Sequence, residues 1–289
     1  MSQPATSQLG RSANGMGRSV NGIFPRDASW IRRIARLGFA AKALLYLTVA
    51  VLALRAARGA GGRTTGSSGA LREFLGQPFG TLILFVLALG LAGYALWRVV
   101  QAVADPERRG TSPQGLALRA GAVISGLMHA ALAVQAVRMA VTRRAAGDDT
   151  AAAETWTARA LDAPMGAWLV ILVGLGIAGY GVYQIIRAIR KELDRELRLS
   201  LHREAREWAI RLSRVGIGAR GVVFVVIGLL LAKAGRDADA SQAGGVGDAL
   251  RELGEGPFGR WILGAVAVGL IAYSLSEAIA ARYRRLAQG

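Results

Sequence analysis

The chain contains no cysteine and only two histidines, His129 and His202, in 289 residues. Without Cys it forms no disulfide and carries no thiolate nucleophile. Two His so far apart do not have the spacing of a metal site, and no Ser, His and acid arrangement suggests a hydrolytic triad. Acidic residues are also scarce, 19 Asp and Glu against 36 Lys and Arg, for a formal net charge of +17. No nucleic-acid-binding motif accompanies the Arg residues, so the charge does not point to a nucleic-acid partner. Gly174-Leu-Gly176-Ile-Ala-Gly179 and Gly216-Ile-Gly218-Ala-Arg-Gly221 both satisfy the dinucleotide fingerprint. Neither follows a strand, and glycines inside an apolar helix are packing surfaces. No cofactor, no metal and no enzymatic activity are therefore expected.

What the chain has in abundance is apolar sequence: 53% of residues are hydrophobic. The charges do not interleave with them. Six nearly uncharged runs stand out, Leu37–Leu54, Phe79–Trp97, Ala120–Val137, Met165–Tyr183, Val215–Ala232 and Trp261–Ser276, with basic clusters at their borders. A helix needs roughly 20 residues to cross the hydrocarbon core, and flanking aromatic and basic residues supply the last turns. The expected fold class is an all-α membrane protein of six transmembrane helices, with the lipid bilayer as its principal partner. Residues 1–29, rich in Ser, Gly and Asn without an apolar core segment, read as a disordered cytoplasmic tail.

The runs are copies of one another. Arg36-x-Gly38, Arg119-x-Gly121 and Arg214-x-Gly216 open the odd helices, and 19 residues after each Arg stands another base, Arg55, Arg138 or Lys233. That separation is about 28 Å of helix, so the two bases reach opposite headgroup layers. Pro78-Phe79-Gly80, Pro164-Met165-Gly166 and Pro257-Phe258-Gly259 open the even helices. Twelve residues after each Pro comes Gly90, Gly176 or Gly269, and four later Tyr94, Tyr180 or Tyr273. A step of four keeps Gly and Tyr on one helix face, where the small residue lets a neighbouring backbone approach. Gly38, Gly121, Gly216, Gly90, Gly176 and Gly269, with the three tyrosines, are thus the expected contacts of three equivalent hairpins.

These Arg-x-Gly openings, Pro-x-Gly turns and Gly-to-Tyr steps resemble the bacterial membrane family of domain of unknown function 1206, which carries three tandem two-helix repeats. The resemblance covers Trp30 to about Leu286 and implies the architecture and a bacterial cytoplasmic membrane, with no activity attached. Repeat two departs most from the pattern. It has His129 where the others have Tyr46 and Phe224, and Ser125 where they have Lys42 and Arg220.

Orientation follows from the bases, since cytoplasmic loops keep Lys and Arg. With both termini inside, 22 of the 36 bases lie on the cytoplasmic side and 12 on the other, with Lys42 and Arg220 inside helices. Each hairpin then leaves from and returns to the cytoplasm, so the three repeats are parallel and can surround an axis along the membrane normal. The boundaries expected are residues 30–105 for hairpin 1, 106–187 for hairpin 2, 188–213 for a basic helical linker and 214–286 for hairpin 3. In the linker, Asp194/Arg198 and Glu207/Arg211 at a spacing of four mark a helix. The reading extends the fourth transmembrane helix into it, over anionic lipid headgroups.

Polar side chains inside the six segments or at the residue just past their ends are the functional leads, because hydrocarbon tolerates them only when they are paired or useful. They are Lys42, Arg98, His129, Gln135, Gln184, Arg220 and Glu277. Glu277 lies four residues after Tyr273, where repeats one and two have Arg98 and Gln184, and it is expected to pair with Arg220. His129 is expected to be neutral and bonded to a neighbouring helix. The function expected first is a non-enzymatic scaffold or assembly factor, with a closed, Gly-packed centre. The alternative is a small-solute or anion transporter or channel built on a pseudo-threefold bundle, in which Lys42, Arg220, His129 and Gln135 converge.

Overall fold

The computed structural model describes residues 29–59, 64–105, 110–145, 147, 149–190 and 202–283. All but one residue of the expected N-terminal tail lies outside them. Six long helices form: α1 Ser29–Ala57, α3 Gly80–Val103, α4 Pro113–Thr142, α6 Gly166–Ile189, α7 Arg203–Arg236 and α9 Gly259–Tyr283. Each is long and apolar enough to cross a membrane. Between the members of each hairpin lies a shorter helix, α2 Ser67–Leu75, α5 Asp149–Leu161 and α8 Val246–Gly254. No strand occurs among the described residues.

The Pro-x-Gly turns work by close approach. A Cβ on Gly80 would lie 2.3 Å from the carbonyl oxygen of Phe74, one on Gly166 1.8 Å from that of Ala160, and one on Gly259 2.0 Å from that of Gly254. Only glycine fits against the end of the short helix at these points. Phe79 and Met165, just before two of these glycines, adopt the left-handed conformation at φ 60°. The preceding Pro sets the turn that delivers each even helix. Phe79, Met165, Phe258, Trp168 and Trp261 project outward from the turns or the first helical turn after them. They form an aromatic and apolar belt at one membrane face.

The apolar runs do not mark these short helices, of which α2 and α8 are alike. They insert equivalent apolar residues, Ala70-Leu71 and Ala249-Leu250, all fully buried, into the end of the bundle. With Leu45, Val49, Leu84, Leu87, Leu91, Met139, Leu263, Val266 and Leu270 they form one continuous apolar core. Polar contacts join the short helices where they meet. Asp149 accepts from the backbone N–H of Ser68 at 3.2 Å and from its hydroxyl, and Thr150 donates to Asp248 at 2.6 Å. Gln135, expected in a polar lining, belongs to this junction: its Oε1 lies 2.8 Å from the Ser68 hydroxyl oxygen and shares that single proton with Asp149, and its amide donates to the Gly147 carbonyl at 3.0 Å.

Helix neighbours run in the order α4, α3, α1, α9, α7, α6. Hairpins 1 and 3 are closed, α1 on α3 and α7 on α9, whereas α4 and α6 do not pack along each other. The middle hairpin is sprung, contrary to three equivalent copies. α6 lies instead on α7, in the most extensive contact of the bundle. Gly174 and Gly181 face Gly228 and Gly221 there so closely that any added Cβ would come within 3 Å of backbone atoms. Small residues on both sides bring two backbones into continuous van der Waals contact, which in lipid is the main source of helix association.

The linker also differs from expectation. α6 ends at Ile189, with Arg190 extended at ψ 142°. The helix that continues beyond the membrane-length segment is α7, which starts at Arg203 and includes Glu207 and Arg211. Asp194 and Arg198 lie outside the described residues.

Candidate functional site

The repeat register predicts where the intramembrane polar residues meet. On the odd helices, four and eight residues after the opening Gly stand Lys42 and Tyr46, Ser125 and His129, or Arg220 and Phe224. On the even helices, the Tyr and the residue four later are Tyr94 and Arg98, Tyr180 and Gln184, or Tyr273 and Glu277. Steps of four line these up along single faces. Close packing of Gly38 against the backbone of Tyr94, and of Gly216 against that of Tyr273, brings the stripes of α1, α3, α7 and α9 to one depth.

Lys42 is the centre of the cluster and is 3% exposed. Its ammonium donates to the Tyr273 hydroxyl at 2.6 Å, to Glu277 Oε1 at 2.9 Å and to the Tyr94 hydroxyl at 3.2 Å. All three N–H donors of a lysine are thereby used. The same Nζ lies 4.9 Å from the ring centroid of Tyr94 and 5.0 Å from that of Tyr273. Rings and hydroxyls replace hydration that a buried ammonium has lost.

Glu277 thus has Lys42 as its ion-pair partner, where the sequence placed Arg220. Arg220 shares the Tyr273 ring with Lys42, its guanidinium 5.3 Å from the centroid, but makes its hydrogen bonds elsewhere. Its Nε donates to the Tyr46 hydroxyl at 3.2 Å and a terminal nitrogen to Gln184 Oε1 at 3.2 Å, with the guanidinium 4.6 Å from the Phe224 ring centroid. Arg98 donates to Gln101 at 3.0 Å and lies 5.2 Å from the Tyr94 ring centroid. His129 sets its Nδ1 2.7 Å from the carbonyl oxygen of Ser125, within its own helix, and its ring 4.5 Å from that of Tyr94. The expected bond from His129 to another helix is therefore replaced by a local one. Arg119, read as reaching the headgroups, donates to the Ala102 carbonyl at 2.7 Å, at the C-terminal turn of α3.

The structure gathers Lys42, Arg98, His129, Gln184, Arg220 and Glu277, and leaves Gln135 at the other end of the bundle. Hairpins 1 and 3 contribute every charge, three cations against one carboxylate, and hairpin 2 contributes neutral groups at each equivalent position. Two donors have no partner: Nε2 of Gln184, a residue only 3% exposed, and Nε of Arg98. Sequence reasoning overlooked Tyr46 as an acceptor for Arg220. Its place four residues after Lys42 was the available signal.

Six membrane-length helices in three tandem hairpins around a polar cluster define an all-α polytopic membrane protein. The chain belongs to the family described as Domain of Unknown Function (DUF1206), which matches it three times, over residues 37–105, 120–191 and 215–284. It is also similar to the protein named "Uncharacterized protein YxxB" of Bacillus subtilis (strain 168), with 34% identity over 270 residues, 93% of this chain and 97% of that protein. No solved structure matches the chain.

Proposed function

We propose that this protein is a non-enzymatic, anion-binding membrane protein of the carrier type, seated in the bacterial cytoplasmic membrane with both termini inside. One observation carries the reading: Lys42, Arg98 and Arg220 converge from three helices on the Tyr94 and Tyr273 rings, with Glu277 the one carboxylate ion-paired to them among the described residues. Uncompensated charge within hydrocarbon is costly, and a bound anion offsets it. Arg98 and Arg220 retain partial exposure while Lys42 is sealed, so the arginines meet the anion and Lys42 with Glu277 fixes the helices that present them. A scaffold or assembly factor is the second reading, favoured by the apolar core that closes the opposite half of the bundle.

Purified protein is expected to melt several degrees higher in phosphate or sulfate than in chloride at equal ionic strength, and the paired change Arg98→Gln with Arg220→Gln is expected to abolish the difference. Equal melting in all three salts would remove the anion reading. Reconstituted vesicles then separate carrier from scaffold: labelled phosphate taken up by the parent protein and not by the paired variant supports transport, and binding without uptake supports the static role.

Orientation is open to a direct test because the parent chain has no Cys. Single cysteines replacing the exposed Arg58, Arg144 or Ser241 are expected to react with an impermeant thiol reagent added to intact cells. Cysteines near either terminus, or at Arg206, are expected to react only after lysis. Protection of the cysteine at 144 would overturn the topology.

A further inference from the structure

The sprung hairpin leaves matched packing surfaces uncovered. Gly38 and Gly216 are buried against tyrosine backbones, and Gly90 and Gly269 against the Cβ atoms of Ala41 and Ala219. Around Gly121, Gly176 and Gly179 a Cβ would meet nothing within 4 Å. Tyr180 is 44% exposed where its equivalents Tyr94 and Tyr273 are 1% and 4%. One substitution marks this seam: Ile124 stands where Ala41 and Ala219 make the close contact, and it is 60% exposed. A β-branched side chain is too bulky for the backbone approach that Ala allows there, and α6 makes its glycine contacts with α7 instead.

The uncovered faces of α4 and α6 both run to the polar cluster, through His129 against Tyr94 on one side and Gln184 bonded to Arg220 on the other. On α6, Gly176, Tyr180 and Gln184 follow at steps of four along one face, passing from exposed to buried. At its end lie the unpartnered Nε2 of Gln184 and, bonded to the same amide, Arg220. Behind α4, on the other flank, lies Arg98, whose Nε is likewise unpartnered and whose Cβ would be 3.2 Å from a Cβ on Gly126. The opening is therefore apolar and small-residue-lined along its length, with donors and two cations at one end. An anion attached to hydrocarbon chains matches both parts; a fully hydrated anion matches one.

We infer that the gap between α4 and α6 is a lateral binding site for an anionic phospholipid, with its phosphate held by Arg220, Gln184 and Arg98 and an acyl chain lying along Gly176 and Gly179. The inference rests on the anion-binding reading above and adds its ligand class and route of entry. Phosphate presented on a lipid reaches the cluster within the plane of the membrane, so the apolar core at the opposite end stays closed throughout.

The test uses the intact protein, native mass spectrometry and melting in detergent, with phosphatidylglycerol, zwitterionic phosphatidylcholine or inorganic phosphate added. Phosphatidylglycerol is expected to be retained and to raise the melting temperature, phosphatidylcholine to do neither. Gly176→Leu and Gly179→Leu fill the gap where there is space for a side chain, and are expected to lower phosphatidylglycerol occupancy about tenfold while leaving stabilisation by inorganic phosphate intact. Unchanged lipid occupancy in both variants, with the phosphate effect preserved, would overturn the lateral site and leave the anion reading standing. No effect of either lipid or phosphate on the parent protein would overturn both. A dimer that the two leucine variants dissociate would place a second copy in the gap and overturn the lipid assignment.

Discussion

Gly38→Leu and Gly216→Leu are expected to abolish recovery of folded protein, whereas Gly121→Leu, the same change at the equivalent position of the middle repeat, is expected to be tolerated. A Cβ on Gly38 would lie 2.6 Å from the backbone nitrogen of Tyr94, and one on Gly216 2.4 Å from the Cα of Tyr273. Backbone inside a packed bundle cannot yield, so the cost reaches about 3 kcal/mol or more for each. Around Gly121 there is open space, and replacing a helical glycine gains up to about 0.8 kcal/mol of helix propensity. Gly90→Leu and Gly269→Leu are expected to behave like the first pair, since their Cβ positions lie 2.5 and 2.3 Å from those of Ala41 and Ala219. Melting in detergent and size-exclusion profiles check the series. Similar losses at Gly38 and Gly121 would show that hairpin 2 closes like the others.

Glu277→Gln is expected to destabilise the protein by about 3–5 kcal/mol, because it leaves the buried Lys42 ammonium without a counter-charge. Lys42→Met combined with Glu277→Gln removes the need for one, and should recover most of the loss. The pair is well suited to this comparison: the ions are 2.9 Å apart with side chains only 4% and 13% exposed. Arg220→Gln with Glu277→Gln is expected to give no such recovery, since the Arg220 hydrogen bonds run to Tyr46 and Gln184. Thermal melts of the two double variants against their single parents measure the coupling. Additive losses for Lys42 and Glu277, or recovery through Arg220 instead, would refute the arrangement.

Much of the site was legible before any helix was placed. Lys42, Arg98, Arg220 and Glu277 each occupy a position defined by counting from an opening Gly or Pro, and residues at repeat-equivalent positions come to equivalent places. The choice of partner for Glu277 was not legible. Lys42 and Arg220 are themselves repeat-equivalent, so register alone does not distinguish them. The rotation of α1, set against α3 by Gly38 on the Tyr94 backbone and against α9 by the Ser274 hydroxyl donating to the Ala43 carbonyl at 2.9 Å, turns Lys42 inward. Gln135 was misplaced for a related reason. Its depth in α4 puts it near the short helices, which no membrane-length apolar run marks, although Ala70-Leu71-Arg72-Glu73 recurs as Ala249-Leu250-Arg251-Glu252.

By itself, the sequence determined the number of membrane-length helices, their approximate places along the chain and the repeat register. All of these depend on local periodicity: apolar runs match the bilayer, and Pro, Gly and Arg mark helix ends through backbone geometry and headgroup contact. Only the tertiary structure decided that hairpin 2 opens. Its Gly121, Gly176 and Tyr180 are the same residues that close the other hairpins. Closure is a competition between surfaces: Ile124 replaces the Ala of the close contact on α4, and Gly221 and Gly228 take the glycine face of α6 onto α7. Neither surface has an outcome until both are present in three dimensions, because helix association in lipid is settled by how closely backbones can approach.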